Sequence, residues 1–324
     1  MKKFSLLLSA ALALSVLSAC GNNDSAKKDA DDKLEVYTTI FPLQDFTKKI
    51  GGEHVNVTSI YPAGADAHTY EPSQKQIVKL ANSDLFVYNG VDLEPFVEDI
   101  EKSLEKEDVK MIDSSKDVAL IKFADEHENQ ANHEGHDHEK EDAHKEDEHH
   151  HDYDPHIWLD PKNALKQAEN IKNALVALQP NHKQDFEKNF NDLKTQLLDL
   201  EAQLKETINN AKTKEVLVSH AAYGYWEYNY GLKQIPIAGL SSSDEPSQKQ
   251  LAAVAETAKE HNLSYILFET FATPKVAEVI QKETGAKILR LHHLSTISEE
   301  ELKDKKDYVT LMKENIKVLD TAMN

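Results

Sequence analysis

Half of the sixteen histidines lie in one segment, residues 125–154, together with thirteen acidic residues and only two lysines. This segment carries a net charge of −11, more than half of the −20 of the whole chain. Imidazole nitrogens suit zinc, copper and nickel, and carboxylates attract any cation. A solvated acidic linker is the usual explanation of such a run, but it does not account for eight histidines. We therefore predict loose capture of a divalent cation by His127, His133, His136, His138, His144, His149, His150 and His151.

Three other histidines lie far apart in the chain, each at a place where a crevice site could form. Glycine and proline around His68 put it on a loop after a predicted strand. Prolines hold the segment around His156 extended, and His220 ends a predicted strand. The separations of 88 and 64 residues fit no zinc-finger spacing, so spacing alone is weak support for a shared site.

Acidic residues lie beside two of these three histidines. Asp66 precedes His68, while Asp154 and Asp160 flank His156. A histidine that binds a metal through one ring nitrogen can donate the N–H of its other ring nitrogen to a carboxylate, which orients the ring. These three aspartates are candidates for that role. Three of the other five histidines lie in polar segments beside helices, and we expect them to face solvent: His54, His182 and His261.

The N-terminus predicts export and lipidation. The basic start Met1–Lys3 precedes a mostly apolar stretch, residues 4–16, which is too short for a permanent membrane span. The sequence L-S-A-C-G around Cys20 resembles a bacterial lipobox, so we expect residues 1–19 to be a signal peptide and Cys20 to carry lipid on its sulfur. The polar residues 20–33 predict a flexible tether. No disulfide is possible within a monomer, because the chain has one cysteine.

Hydropathy predicts the elements that position the histidines in the first half of the chain. The predicted strands are 34–40, 55–61, 84–89 and 109–112, and the predicted helices lie near 43–50, 73–82 and 92–105. Strands that alternate with helices predict a parallel sheet built from crossover units. The histidine-rich segment interrupts this pattern without apolar periodicity and is predicted to be a loop.

Residues 161–212 are predicted to be helical. Leucines recur at three- and four-residue steps from Leu193 to Leu204 and form one apolar stripe. The sequence Gln179-Pro180-Asn181 separates a first helix from a second of about thirty residues, roughly 45 Å long. Such a helix is long enough to lie along two lobes.

A second alternating set follows these helices. Its predicted strands are 215–219, 234–237, 265–268 and 288–291, and its predicted helices are 223–230, 246–261, 274–284 and 306–322. The predicted fold class is therefore α/β, with two lobes, each a parallel sheet flanked by helices, joined by one long rigid helix. The predicted domains are an N-terminal lobe (34–160), linking helices (161–212) and a C-terminal lobe (213–324). Ligands of such sheets lie beyond the carboxyl ends of the strands, which points to the cleft between the lobes.

Five motifs occur in order along the chain: H-T-Y-E-P-S (68–73), D-P-H-I-W-L-D-P (154–161), S-H-A-A-Y-G-Y-W (219–226), Y-G-L-K-Q-I-P-I-A-G-L (230–240) and D-E-P-S (244–247). Together they closely resemble the metal-binding lipoproteins of bacterial ABC importers for zinc and manganese, and most of all their zinc-specific branch. The resemblance covers nearly all residues after 34. It implies two α/β lobes with one metal ion in the cleft, held by His68 and His156 of the N-terminal lobe and by His220 of the C-terminal lobe.

The chain departs from this family at the fourth ligand. Many relatives carry Glu or Asp in a pattern like L-x-x-L-E after the last strand, where this chain has L-H-H-L-S ending at Ser295. A neutral serine is a poor zinc ligand, so we do not expect Ser295 to bind the metal. The alternatives are water, His292, His293 and Glu269.

A site of imidazoles with few carboxylates favours Zn²⁺ over manganese, which prefers oxygen-rich shells. Nickel and copper remain alternatives, because raw affinity ranks copper above zinc and selectivity must rest on geometry and metal availability. We expect the histidine-rich segment to collect zinc and the cleft to bind it. The resemblance implies that the loaded protein then docks on an ABC permease that is driven by an ATPase subunit. The resemblance further implies a monomer anchored through Cys20 at the extracytoplasmic face of the cell membrane. Manganese binding within the same importer class is the alternative.

Two other classes of function compete with this one. A zinc ion with three histidines and a water also describes a hydrolytic or hydrating enzyme, but the chain has no Gly-x-Ser-x-Gly or His-Glu-x-x-His motif, and we predict no enzyme. A surface adhesin is the second rival, and nothing in the sequence encodes it specifically. The net charge of −20 argues against nucleic acid as a partner.

Overall fold

Two four-stranded parallel sheets form the centres of two lobes. The structure, a computed structural model, describes residues 33–122, 152–240, 247–269 and 274–324. The N-terminal sheet consists of β1 (Leu34–Thr38), β2 (Val55–Ser59), β3 (Leu85–Tyr88) and β4 (Lys110–Asp113). Helices α1 (Phe41–Gly51), α2 (Gln74–Ala81) and α3 (Val97–Leu104) connect these strands. The strand order is β2-β1-β3-β4, so the order reverses between β1 and β3.

Two helices follow the N-terminal lobe, α4 (Pro161–Leu178) and α5 (Lys183–Asn210). Asp160 caps α4 because its side chain accepts from the backbone N–H groups of Lys162 and Asn163, and Pro161 takes the first helical position. A 3-10 turn, Pro180–His182, separates the helices, as the sequence predicts. At 28 residues, α5 extends about 42 Å. Its buried apolar stripe packs against α1, α4 and α10 (Tyr308–Met323).

The C-terminal sheet repeats the topology of the first. Its strands are β5 (Glu215–His220), β6 (Lys233–Ala238), β7 (Tyr265–Glu269) and β8 (Lys287–Leu291). Its helices before α10 are α6 (Gly224–Tyr230), α7 (Gln248–Glu260), α8 (Pro274–Thr284) and α9 (Glu299–Lys303). The parallel order β6-β5-β7-β8 again reverses beside its first strand, between β5 and β7. His220 and Glu269 end these two neighbouring strands.

Buried apolar side chains connect the lobes. One cluster continues from the N-terminal sheet through α4 and α5 into the C-terminal lobe, and a smaller cluster covers the other part of the C-terminal sheet. Trp158 and Trp226 are both fully buried, and their indole N–H groups donate to the backbone oxygens of His293 and Leu159. In the described part of the chain, none of the helices has the length and apolar character needed to cross a membrane.

The predicted elements are confirmed, with three local differences. Helix α3 begins at Val97 and not near residue 92, because Val91 and Asp92 have positive φ angles that do not fit a helix. The segment after His156 is not extended throughout, since Ile157–Leu159 forms a buried 3-10 turn. Helix α9 was not predicted. It has five residues and is stabilised by a capping box between Ser298 and Glu301.

Candidate metal centre

The structure brings His68, His156 and His220 together at one point. One ring nitrogen from each lies within 4.8 Å of the others. The ring centroids are 5.3 Å apart for His68 and His156, 5.2 Å for His156 and His220, and 6.4 Å for His68 and His220. His156 and His220 are fully buried and His68 is half-buried. Three neutral imidazoles in this arrangement can hold one divalent cation.

A different element positions each of these histidines. His68 lies on the loop between β2 and α2, where its backbone N–H donates to Asp66 Oδ1 at 2.8 Å. His156 precedes the buried 3-10 turn Ile157–Leu159, whose side chains fix it in the core. His220 is the last residue of β5, at the edge where the strand order reverses. The centre therefore lies where parallel sheets usually place their ligands.

A carboxylate holds the ring of His156 from behind. Asp154 Oδ1 lies 2.8 Å from His156 Nδ1 and also accepts the backbone N–H of His156 at 2.9 Å. This contact leaves Nε2 of His156 directed at Nε2 of His220, 3.4 Å away. Two tetrahedral Zn–N bonds of about 2.0–2.1 Å span roughly that separation.

A second carboxylate holds the ring of His220 in the same way. Glu269, at the end of β7, contacts Nδ1 of His220 through Oε1 and accepts the hydroxyl proton of Ser219 at 2.7 Å. The orientation of both rings is therefore set at Nδ1, and both Nε2 atoms face the same point. Such outer partners orient ligand histidines in metal sites generally.

The two carboxylates differ in their acid strength. Burial raises the pKa of Asp154 to about 7, although backbone N–H groups of His156 and Gly224 oppose this. Burial would also raise the pKa of Glu269, but the imidazoles of His220 and His293 hold it at about 2. Burial alone would lower the pKa of His220, yet the Glu269 carboxylate raises it above its ordinary value. Glu269 is thus a permanent anion at neutral pH, and Asp154 is partly protonated.

Helix α6 of the C-terminal lobe fixes the segment that carries Asp154. Tyr225 Oη donates to the backbone oxygen of Asp154 at 2.9 Å. Asn229 Nδ2 donates to Asp160 Oδ2 at 2.6 Å, and Tyr230 Oη donates to Asp160 Oδ1 at 3.1 Å. A Cβ atom on Gly224 would overlap the Oδ2 atom of Asp154, so only glycine allows this close approach.

Among the candidates for the fourth ligand, the structure places His293 beside His156 and His220. Its ring centroid lies 4.9 Å from that of His220 and 5.2 Å from that of His156. Ser295 Oγ holds its Nδ1 at 3.0 Å, while its buried Nε2 has no hydrogen-bond partner among the described residues. Burial and the neighbouring imidazoles lower the pKa of His293 to about 3, so its ring stays neutral.

The other candidates for the fourth position have different partners. His292 Nδ1 accepts the backbone N–H of Leu294 at 2.9 Å, and His292 Nε2 lies 3.4 Å from Glu301. Glu269 contacts Nδ1 of His220 and accepts from Ser219, so it lies on the side of the His220 ring that faces away from the other histidines. Its position at a strand end was visible in the sequence, but its role as the partner of His220 was missed, because that role depends on β5 and β7 being neighbours.

Three smaller predictions have mixed outcomes. Asp154 contacts the ring of His156 as predicted, but Asp160 caps α4 and binds α6. His261 is exposed as predicted, whereas His54 and His182 are half-buried and stack on each other, so the prediction that they face solvent was wrong. Cys20 and the eight histidines between 127 and 151 lie outside the described residues.

Known proteins resemble this chain over nearly its whole length. A family model described as "ZnuA: Zinc-uptake complex component A periplasmic" matches residues 36–322. The "High-affinity zinc uptake system protein ZnuA" of Bacillus subtilis (strain 168) is 38% identical in an alignment of 325 positions that covers 99% of this chain and 98% of that protein. The "Zinc-binding lipoprotein AdcA" of Streptococcus pneumoniae (strain ATCC BAA-255 / R6) is also 38% identical, over 98% of this chain. The chain spans about 60% of the length of that relative.

A solved structure extends this similarity to the fold. The crystal structure of the Zn(II)-bound ZnuA-like domain of Streptococcus pneumoniae AdcA matches with a TM-score of 0.74 at 34% identity. The match covers 90% of this chain and 99% of that domain. With a family match from residue 36 to residue 322 and the same fold, the chain belongs to the ZnuA family of zinc-uptake complex components.

Proposed function

We propose that this chain captures Zn²⁺ outside the cytoplasm and delivers it to an ABC-type membrane permease with its ATPase subunit. One observation carries the proposal: Nε2 atoms from two lobes face each other at 3.4 Å, and each ring is held at Nδ1 by a buried carboxylate. This is the arrangement of a prepared cation site, because the ring orientations are fixed before an ion arrives.

The proposed ligands are His68, His156, His220 and His293. Four imidazoles satisfy the tetrahedral preference of zinc, and no carboxylate has to bind the ion. The proximity and neutral ring of His293 support it over water as the fourth ligand. Manganese is disfavoured at this site, because it prefers oxygen donors and higher coordination numbers.

The sequence supports the rest of the assignment. We propose that residues 1–19 are a signal peptide and that lipid on Cys20, followed by the tether 20–33, anchors a monomer at the extracytoplasmic face of the membrane. The N-terminal lobe is assigned to 34–160 and the C-terminal lobe to 213–324, with linking helices between them. Lipid anchoring is tested by labelling with palmitate, which Cys20→Ala should abolish.

Growth under zinc limitation tests the function. A strain without this protein should recover when it carries the wild-type chain or receives added Zn²⁺, and should not recover with the His220→Ala variant. His261→Ala is the matched control, since His261 is exposed and pairs with Glu215 on the surface. Recovery with added Mn²⁺ and not with Zn²⁺ would establish the manganese alternative. If neither metal affects growth, an adhesin becomes the better assignment.

The histidine-rich segment is proposed to raise the zinc concentration near the centre, an effective-concentration role. Deletion of residues 126–151 should reduce uptake at limiting zinc and leave uptake at abundant zinc unchanged. Equal uptake by both proteins under zinc starvation would contradict this role.

We further propose that the chain binds zinc without catalysing a reaction. Zinc-dependent esterase or CO₂-hydration activity of the purified protein would contradict this proposal.

A further inference from the structure

A second group of metal-ligating side chains lies on the N-terminal lobe, far from the cleft. His54 ends the 3-10 turn Gly52–His54, His182 ends the turn before α5, and Asp185 lies in the first turn of α5. One ligand atom from each lies within 4.8 Å of the others. His54 directly precedes β2, whereas the loop of His68 follows β2. The strand has five residues, so about 16 Å of strand lies between the two groups.

The contacts within this group bring the three side chains together. The imidazole rings of His54 and His182 stack with centroids 3.8 Å apart and planes inclined by 20°. His54 Nε2 lies 3.1 Å from Asp185 Oδ2. Phe186 supports both rings edge-on, with centroid distances of 5.7 Å to His54 and 6.3 Å to His182.

The donor atoms of this group are suited to binding a metal ion. The two rings lie face to face at 3.8 Å beside a carboxylate, so one cation can draw on nitrogen and oxygen donors at the same place. Two imidazoles and one carboxylate form a donor set suited to Zn²⁺. The Asp185 side chain is 61% exposed, so an ion can reach the group from solvent and keep water as a further ligand.

We propose that His54, His182 and Asp185 form a second Zn²⁺ site that joins the turn after α1 to the start of α5. Each ring must rotate from the stack until one nitrogen lies about 2.0–2.1 Å from the ion. This rotation and the solvent exposure make the site weaker than the cleft. It fills only when zinc exceeds one equivalent, and it then holds the N-terminal lobe against the long helix.

NMR spectroscopy of the ¹⁵N-labelled whole chain, titrated with ZnCl₂, tests the site. Beyond one equivalent of zinc, amide signals of residues 52–54 and 183–186 should shift and saturate. In His182→Gln the midpoint of that shift should move to at least tenfold higher zinc. Asp185→Asn serves as a second variant, because its exposed side chain can be changed without disturbing the core. Both variants should retain the binding of the first equivalent, so this test is independent of the cleft.

His261→Gln is the matched control. His261 also pairs with a carboxylate, Glu215 Oε2 at 2.6 Å, but no second imidazole stacks on it among the residues that the structure describes. Its substitution should leave the titration at residues 52–54 unchanged. In zinc-soaked crystals, an anomalous peak at the zinc edge should lie about 2.0–2.2 Å from one ligand atom of each of the three residues. No saturating shift at these amides, or the same midpoint in His182→Gln, would overturn the site and leave only a ring stack and a contact between His54 and Asp185.

Discussion

The two halves of the cleft build the same imidazole–carboxylate pair in different ways. In the N-terminal half, Asp154 and His156 are two residues apart, and one oxygen of Asp154 accepts both the ring and the backbone N–H of His156. In the C-terminal half, His220 and Glu269 are 49 positions apart and meet because β5 and β7 are neighbours. The first pair depends on a local turn, and the second depends on the sheet.

This difference separates two roles of a supporting carboxylate. Asp154, with a pKa raised to about 7, orients its histidine mainly through hydrogen bonds. Glu269, with a pKa lowered to about 2, also contributes a full negative charge that raises the pKa of His220. The C-terminal half therefore attracts a cation and a proton alike, whereas the N-terminal half supplies rigid geometry.

Loss of a ligand imidazole should have the largest effect on either half. Loss of a carboxylate that orients a ligand histidine typically weakens metal binding roughly 10–100-fold. His156→Ala and His220→Ala should each weaken Zn²⁺ binding by more than this. Competition with a zinc chelator measures this affinity, and circular dichroism verifies that each variant is folded. His261→Ala should bind like the wild type. Near-normal affinity of either cleft variant would show that its histidine is not a ligand.

Removal of the charge on each carboxylate should distinguish the halves. Glu269→Gln should weaken zinc binding about 10–100-fold, because a full negative charge behind His220 is lost. Asp154→Asn should cost less, about tenfold or below, since its remaining oxygen can still accept both N–H groups of His156. The same chelator competition measures both variants. A larger loss for Asp154→Asn would reverse the comparison.

The sequence predicts most of the fold because each element carries its own signal. The apolar stripe from Leu193 to Leu204 predicts α5, and Pro180 predicts where α5 is separated from α4. Helix α9 gives no such signal, since five residues are too few for a helical period. The start of α3 was misplaced because the positive φ angle of Val91 is not encoded by a glycine.

The sequence predicts the candidate ligands better than their partners. His68, His156 and His220 lie in recognisable motifs, and Asp154 lies within the motif of His156. The pairing of Glu269 with His220 requires the strand order β6-β5-β7-β8, which hydropathy does not give. The stack of His54 on His182 joins turns 128 residues apart and depends on how α1 packs against α5.

The pH dependence of zinc affinity should report the charge on Glu269. At the proposed ligand His220 a proton and Zn²⁺ should compete, so zinc affinity should decrease as pH falls below the pKa of that ring. Glu269 raises this pKa, so the decrease should begin above the ordinary imidazole value of about 6.5. In Glu269→Gln the largest contribution that raises the pKa of His220 is lost, and burial then acts against only the smaller effects of Asp66 and Asp154. The decrease in affinity should therefore begin at lower pH.

Chelator competition between pH 8 and pH 5 measures this difference, and Asp154→Asn serves as the control variant. Asp154 contributes less to the raised pKa of His220 than Glu269 does, so Asp154→Asn should move the onset less. An identical onset in the wild type and Glu269→Gln would show that the proton which zinc displaces is not on His220.

The smallest effect is expected at Gly224, which touches the N-terminal pair from the other lobe. Gly224→Ala places a methyl group against Asp154 Oδ2, so the carboxylate must move and His156 loses part of its support. We expect a few-fold loss of zinc affinity and a decrease in unfolding free energy of about 1–3 kcal/mol. In an Asp154→Ala background the overlap is absent, so Gly224→Ala should then change affinity little. Equal losses of affinity in both backgrounds would mean that Gly224 acts on the lobe contact and not through Asp154.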